Sequence, residues 1–228
     1  MLFRLSLLCL LFLLTSISGF AQKVNRYGLT VIDDQADYLQ SVAADRNSRL
    51  VEISQYIPNI KLDIRYASSN NFTGQVVYTE ARAFARLPVV LALKKIQEEL
   101  NKKNLSLKIY DAYRPYAVTV KFFEIADDKN FVAHPKTGSR HNRGCAVDLT
   151  LINLKNGKEL KMPTPYDSFA PEASPSFDNL PKKVKANRDL LIKVMEKHGF
   201  EVLHNEWWHF DFNDWKEFDL MDIPFKQL

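Results

Sequence analysis

Apolar residues recur along this chain with two periods. Val89, Ala92, Leu93, Ile96 and Leu100 fall at i, i+3, i+4, i+7 and i+11, which is one face of a helix. Pro88 suits the first turn of that helix, where a missing N–H costs nothing. Val118, Phe122 and Ile125 mark another short helix. Leu190, Leu191, Val194 and Met195 mark one more, with Lys193, Lys197 and His198 in its last turn and Gly199 just past it. Elsewhere the period is two. Ile60 to Tyr66, Leu105 to Ile109 and Cys145 to Leu151 each alternate apolar with polar positions, so each reads as a strand, and a final strand is expected near Trp207 to Phe212. Asn156-Gly157, between Leu154 and Leu160, predicts a tight hairpin turn that would place Asp148 on an antiparallel meander. Gln22 to Ser48 is polar and predicts an extended arm with a short helix near Ala36 to Ala44. Ser68 to Gly74 reads as a loop, and the proline-rich stretch Met162 to Pro181 as a long irregular segment of the kind that often carries function. With no internal repeat and no long linker, the pattern predicts one α+β domain: a central antiparallel sheet flanked by helices.

Two polar positions break this apolar scheme. Asp148 points opposite to Cys145, Val147, Leu149 and Leu151 in a strand, and an aspartate in such a strand needs a partner. His141 lies seven residues before it, on a loop that also carries His134, and His209 lies in the last strand. Two imidazoles and one carboxylate form a candidate metal set, and catalytic zinc sites use three protein ligands with a fourth position for water. Glu206, three residues before His209, supplies the further carboxylate that a metal-activated water needs as a base. Its parity in an extended strand is opposite to that of His209, so it is expected in the loop entering the strand, with Trp208, Phe210 and Phe212 packed behind the site. Arg114 ends a strand just before Pro115, which holds it in an extended conformation. Taken singly, each of these residues has an ordinary explanation: a surface histidine, a core tryptophan, an arginine in a surface ion pair. A non-haem iron centre also uses two histidines and a carboxylate, but the gap between His141 and Asp148 and the adjacent Glu206 speak against it.

Composition changes the picture at one end. Met1 to Ala21 carries Arg4, a mostly apolar run from Leu5 to Leu14 and a Gly19-Phe20-Ala21 site, the pattern of a cleaved secretory signal peptide. The run is shorter than the about 20 apolar residues of a membrane span. The expectation is an exported, periplasmic protein with residues 22–228 as its mature domain and no membrane span after cleavage. Losing Arg4 takes the formal charge from +4 to +3. The basic residues are scattered, so no nucleic-acid partner is expected. Cys9 leaves with the signal, and Cys145 alone can form no internal disulfide; burial is its commoner fate than nucleophilic chemistry.

The combination Ser139-x-His141-x-x-Gly144-x-Ala146-x-Asp148, followed by Glu206-Trp207-Trp208-His209, resembles the zinc D-alanyl-D-alanine dipeptidases of the vancomycin-resistance type, within the wider zinc D,D-peptidase group. Asp63-Ile64-Arg65-Tyr66, Asn71-Phe72-Thr73-Gly74, Asp111 to Pro115 and Thr164 to Phe169 extend the likeness from about Ile53 to Phe212. The resemblance implies one zinc per chain on His141, Asp148 and His209, with Glu206 as general base and Arg114 stabilising the oxyanion. It also implies that Ser139 and Asp167 bind substrate, Asp167 reading the free ammonium of a small dipeptide. The implied activity is hydrolysis of D-alanyl-D-alanine to two D-alanines in cell-wall peptide turnover. Two other readings share the scaffold: a zinc D,D-carboxypeptidase trimming stem peptides, and a non-catalytic binding module, which the joint presence of ligands, base and arginine disfavours.

Overall fold

The computed structural model describes residues 24–228, so the signal-peptide expectation and Cys9 lie outside the described residues. Among the described residues, seven strands and five α-helices follow in chain order. They are α1 (Gln35–Ala44), β1 (Leu50–Glu52), α2 (Ile53–Tyr56), β2 (Lys61–Leu62), β3 (Phe84–Arg86), α3 (Leu87–Asn101), β4 (Leu105–Asp111), α4 (Tyr116–Ile125), β5 (Ala146–Asn153), α5 (Lys182–Lys197), β6 (Phe200–Leu203) and β7 (Glu206–Phe212). Five strands form one sheet in the order β2-β4-β5-β7-β6, and β1 pairs with β3 in a separate ribbon. The main sheet is antiparallel except at its β2 edge, which runs parallel to β4. Among the described residues no helix is long and apolar enough to cross a membrane.

The helical stripes do what their spacing predicts. Val89, Leu93, Ile96 and Leu100 of α3 are fully buried, and α3 packs against β4. Leu191, Val194 and Met195 of α5 are buried, and α5 packs against β5, β6 and β7. The central strand β5 is closed on both faces: Val147, Leu149 and Leu151 point one way, Ala146, Asp148 and Thr150 the other, and all six are buried. Cys145 is also buried, with its thiol pKa pushed up to about 12 by burial, which makes it an inert packing residue.

Three expectations are corrected in detail. The strand expected over Ile60 to Tyr66 is two residues long. Asp63 still donates its N–H to Ile109, and a 3-10 turn over Arg65–Ala67 then takes the chain off the sheet. The departure turns Tyr66 into the wall of a cavity. The hairpin turn after β5 forms, with Gly157 N–H bonded to Asn153, but its return leg is only the bridge Ile152–Glu159, and β5 takes β4 and β7 as neighbours. Glu206 is the first residue of β7 rather than a loop residue. The β5–β7 pairing ends at Asp148–His209, and the β6–β7 register shifts between Val202 and Leu203. Residues ahead of His209 are thus free of strict alternation. Glu206 and Trp208 both reach the cavity on the side of His209, while Trp207 lies outside it and donates Nε1 to Thr164 Oγ1 at 3.0 Å.

Candidate active site

Sheet register brings the first two of the candidate ligands together. Asp148 and His209 are Cα partners on β5 and β7, so their side chains share a face. His141 arrives from outside the sheet, on a 3-10 turn over Arg140–Arg143. Ser139 caps that turn: its Oγ accepts from His141 N–H at 3.2 Å, and Asn142 Oδ1 accepts from Ser139 N–H at 2.7 Å. The turn exits through Gly144 at φ 68°, against Leu50 and the backbone of Arg86. A side chain there would meet Leu50 Cδ2 at 2.5 Å, so both the left-handed backbone and the close approach demand glycine.

His141 Nε2, His209 Nδ1 and Asp148 Oδ1 form a triangle with sides of 3.1, 3.1 and 3.3 Å. A tetrahedral zinc site with bonds of about 2.0–2.1 Å has ligand-to-ligand edges of about 3.3 Å, so the triangle matches one face of such a site. Three further observations fit a cation there. Asp148 Oδ1 is buried with no satisfactory hydrogen bond, while its Oδ2 accepts from the Tyr166 hydroxyl at 2.9 Å. His141 Nδ1 lies 2.7 Å from the Ala112 carbonyl, which can only accept, so Nε2 is left as a lone pair facing the triangle. His209 Nε2 lies 2.9 Å from Asp211 Oδ1, which likewise turns Nδ1 toward the triangle. Burial opposes charge on both His209 and Asp148, yet each is held ionised by the other and its neighbours. The carboxylates of Asp211 and Asp148 raise the His209 pKa well above its usual value, and the two imidazoles hold Asp148 well below the carboxylate range. A metal ion would replace the proton on His209 Nδ1, which is the usual exchange at such sites.

The remaining sequence candidates surround this triangle in a cavity of about 200 Å³. Glu206 Oε2 is 3.8 Å from His209 Nδ1, and burial pushes its pKa up to about 7, with Asp148 adding to the rise. That is the range in which a general base works near neutral pH. Arg114 is buried and fixed: its Nε and Nη2 donate to Asp111 Oδ2 at 3.0 and 2.7 Å, Nη2 is 3.9 Å from Asp148 Oδ2, and the guanidinium lies over the rings of Tyr66 and Phe122. Asp111 is itself held by the Tyr78 hydroxyl and the Ala112 N–H, each at 2.9 Å. Asp167 sits at φ 60°, an uncommon conformation for a non-glycine residue, with both carboxyl oxygens 3.2 Å from the Tyr66 hydroxyl. Burial, then Asp148 and Glu206, push its pKa up to about 8 against the pull of Arg114. Ser139 lines the same cavity while capping the His141 turn.

All seven sequence candidates therefore meet in one place. Sequence reading missed the residues that hold them: Asp211 behind His209, Asp111 behind Arg114, and Tyr66 and Tyr166 between Asp167 and Asp148. Asp211 had a visible signal, since it shares strand parity with His209. The aromatic wall of Phe72, Phe131 and Phe169 had none, because it is assembled from three separate loops; Phe131 stacks on Phe169 at 4.4 Å.

Comparison with known proteins agrees with this geometry. A family model described as D-Ala-D-Ala dipeptidase matches residues 46–225. A D-alanyl-D-alanine dipeptidase of Escherichia coli is 32% identical over 164 residues, 72% of this chain and 84% of that protein. One of Enterococcus faecalis is 27% identical over 185 residues, 71% of this chain and 90% of that protein. A solved LD-carboxypeptidase aligns at 17% identity with a TM-score of 0.38, covering 60% of this chain and 71% of that one, too remote to bear on the site.

Proposed function

Because the chain belongs to the D-Ala-D-Ala dipeptidase family of peptidases, we propose that it hydrolyses D-alanyl-D-alanine to two D-alanines, with one zinc per chain held by His141, Asp148 and His209. The observation that carries this reading is the ligand triangle flanked by Glu206 and by Asp167, a half-buried carboxyl that forms no ion pair among the described residues. When bound, zinc supplies a polarised carbonyl and a water acidic enough to attack at neutral pH.

The chain's own residues supply the rest. Asp167, its oxygens aligned by the Tyr66 hydroxyl, receives the substrate's ammonium, and that cation restores the charge that burial suppresses. The fixed Arg114 guanidinium faces negative charge as it develops on the carbonyl oxygen, and it needs no reorganisation to do so. Glu206 accepts a proton from the attacking water and later returns one to the leaving nitrogen. Ser139 holds the His141 turn, and its hydroxyl proton remains available to a substrate oxygen. Aromatic side chains line much of the cavity, and their low polarity strengthens each of these contacts. Export to the periplasm, and a role in wall-peptide turnover, rest on the pattern of residues 1–21 and belong to the same proposal.

The test is substrate choice. A charge-assisted contact of the Asp167 kind is worth about 1.5–3 kcal/mol, or roughly 10- to 150-fold at about 1.4 kcal/mol per tenfold. Rapid cleavage of D-Ala-D-Ala is expected, with slow cleavage of its N-acetyl derivative and almost none of a pentapeptide ending in D-Ala-D-Ala. Asp167→Ala is expected to narrow the gap between the first two. Efficient release of terminal D-alanine from the pentapeptide would overturn the dipeptidase reading in favour of a carboxypeptidase.

A further inference from the structure

The cavity is electrically lopsided. Asp167 accepts from the Tyr66 hydroxyl, Tyr166 bonds to Tyr66 and to Asp148, and Asp148 belongs to the ligand triangle. Beyond the triangle, His209 reaches Asp211, and past Asp211 lies Arg140, whose Nε is 3.6 Å from Asp211 Oδ2. Two arginines line the cavity. Arg114 is committed to Asp111, but the Arg140 side chain is 44% exposed, and among the described residues its guanidinium donates no hydrogen bond. The 3.6 Å approach to Asp211 is too long for one, and Asp211 already serves His209.

Arg140 is also held in place without being used up. Its guanidinium lies over the Trp215 ring at 4.8 Å, and Arg143 and Lys216 gather around the same ring at 5.4 and 5.5 Å. Stacking fixes the plane of a guanidinium while leaving its edge donors free. The contacts thus run from the carboxyl of Asp167, through the ligand triangle, to the guanidinium of Arg140, and both of these end residues line the cavity. A dipeptide is a zwitterion with the same polarity, its ammonium at one end and its carboxylate at the other.

We propose that Arg140 is the specificity residue that reads the free C-terminal carboxylate of the substrate, through guanidinium donors presented at the cavity mouth by Trp215. The substrate then lies with its ammonium toward Asp167 and its carboxylate toward Arg140, and both chain ends are checked by charge. The inference rests on the dipeptidase reading.

The test compares D-Ala-D-Ala with its C-terminal amide, which keeps the ammonium and the scissile bond but removes the anion. For a part-exposed pair the contact is expected to be worth about tenfold in kcat/KM. Wild-type protein should favour the acid over the amide by about that factor. Arg140→Ala should raise KM for the acid by about tenfold with little change in kcat, and should change kcat/KM for the amide by less than about twofold. Arg140→Lys, which keeps the charge but loses the fork, should recover part of the preference. Zinc content, measured alongside, should be that of wild type. Equal losses on both substrates, with lower kcat and less zinc, would show that Arg140 acts only through Asp211 and would overturn the proposal. So would a wild-type protein that treats acid and amide alike. Wild-type protein inert on D-Ala-D-Ala would instead bring down the dipeptidase reading itself, and this inference with it.

Discussion

Asp211 offers a quantitative test of how the proposed metal centre is held. Its Oδ1 lies 2.9 Å from His209 Nε2, and the residue is 8% exposed. Asp211→Ala removes the carboxylate at that nitrogen. The Nε2–H is then buried without a partner, at a cost of about 1–3 kcal/mol, and the ring is free to take the tautomer that puts its proton on Nδ1. That tautomer turns a protonated Nδ1 to the ligand triangle, which disfavours a metal there. Partners of this kind behind ligating histidines typically contribute about 10–100-fold in metal affinity or activity, equivalent to about 1.4–2.8 kcal/mol at about 1.4 kcal/mol per tenfold. Asp211→Asn keeps an oxygen acceptor and loses only the charge, so it should fall between wild type and Asp211→Ala. The assay is chelator competition for zinc on purified protein, with circular dichroism and thermal unfolding of the metal-free forms as controls for folding. Zinc affinity within about twofold of wild type in a folded Asp211→Ala variant would refute the claim that this contact orients His209.

Two further outcomes follow from the geometry. Glu206→Gln should retain zinc and lose about 10²–10⁴-fold in turnover, since general acid–base groups contribute on that scale; loss of zinc would make Glu206 a ligand instead. Gly144→Ala should lower unfolding stability in denaturant titration by about 2–4 kcal/mol, combining the left-handed backbone with overpacking against Leu50, and an unchanged midpoint would remove Gly144 from the account of how the His141 turn is held.

The candidate ligand set was legible in the sequence because its residues carry their own constraints. Asp148 interrupts an apolar alternation, and His209 sits in a strand rich in aromatics, so both stood out against a pattern that the structure then reproduced as β5 and β7. The α3 and α5 stripes were legible for the same reason. What was hidden depends on contacts between distant segments. The β1–β3 ribbon is three residues deep and leaves too short a pattern to read. Strand alternation placed Trp208 behind the site, but the pairing with β5 stops at His209, and Trp208 lies in the cavity wall. Ser139 looked like a substrate contact, and its capping of the His141 turn emerged only with the backbone conformation of Arg140 to Gly144. Arg140 itself sits inside the recognised motif, at a position the motif leaves open.

The pairing of Asp111 with Asp148, and of Asp148 with His209, has a consequence for how the chain matures. One row across three strands carries the carboxylate that clamps Arg114 and two of the candidate metal ligands. A slip of one residue between β5 and β7 would send His209 to the opposite face, leaving Asp148 buried without its partner. Misaligned molecules would therefore lose the ability to take up zinc at the same moment as they lost the correct pairing. On the proposed ligand set, zinc would bind only the aligned form and would add RT ln(1 + [Zn]/Kd) to its stability. Metal supply in the compartment where folding is completed would thus act as a quality check on the sheet, drawing chains toward the one alignment that can do chemistry.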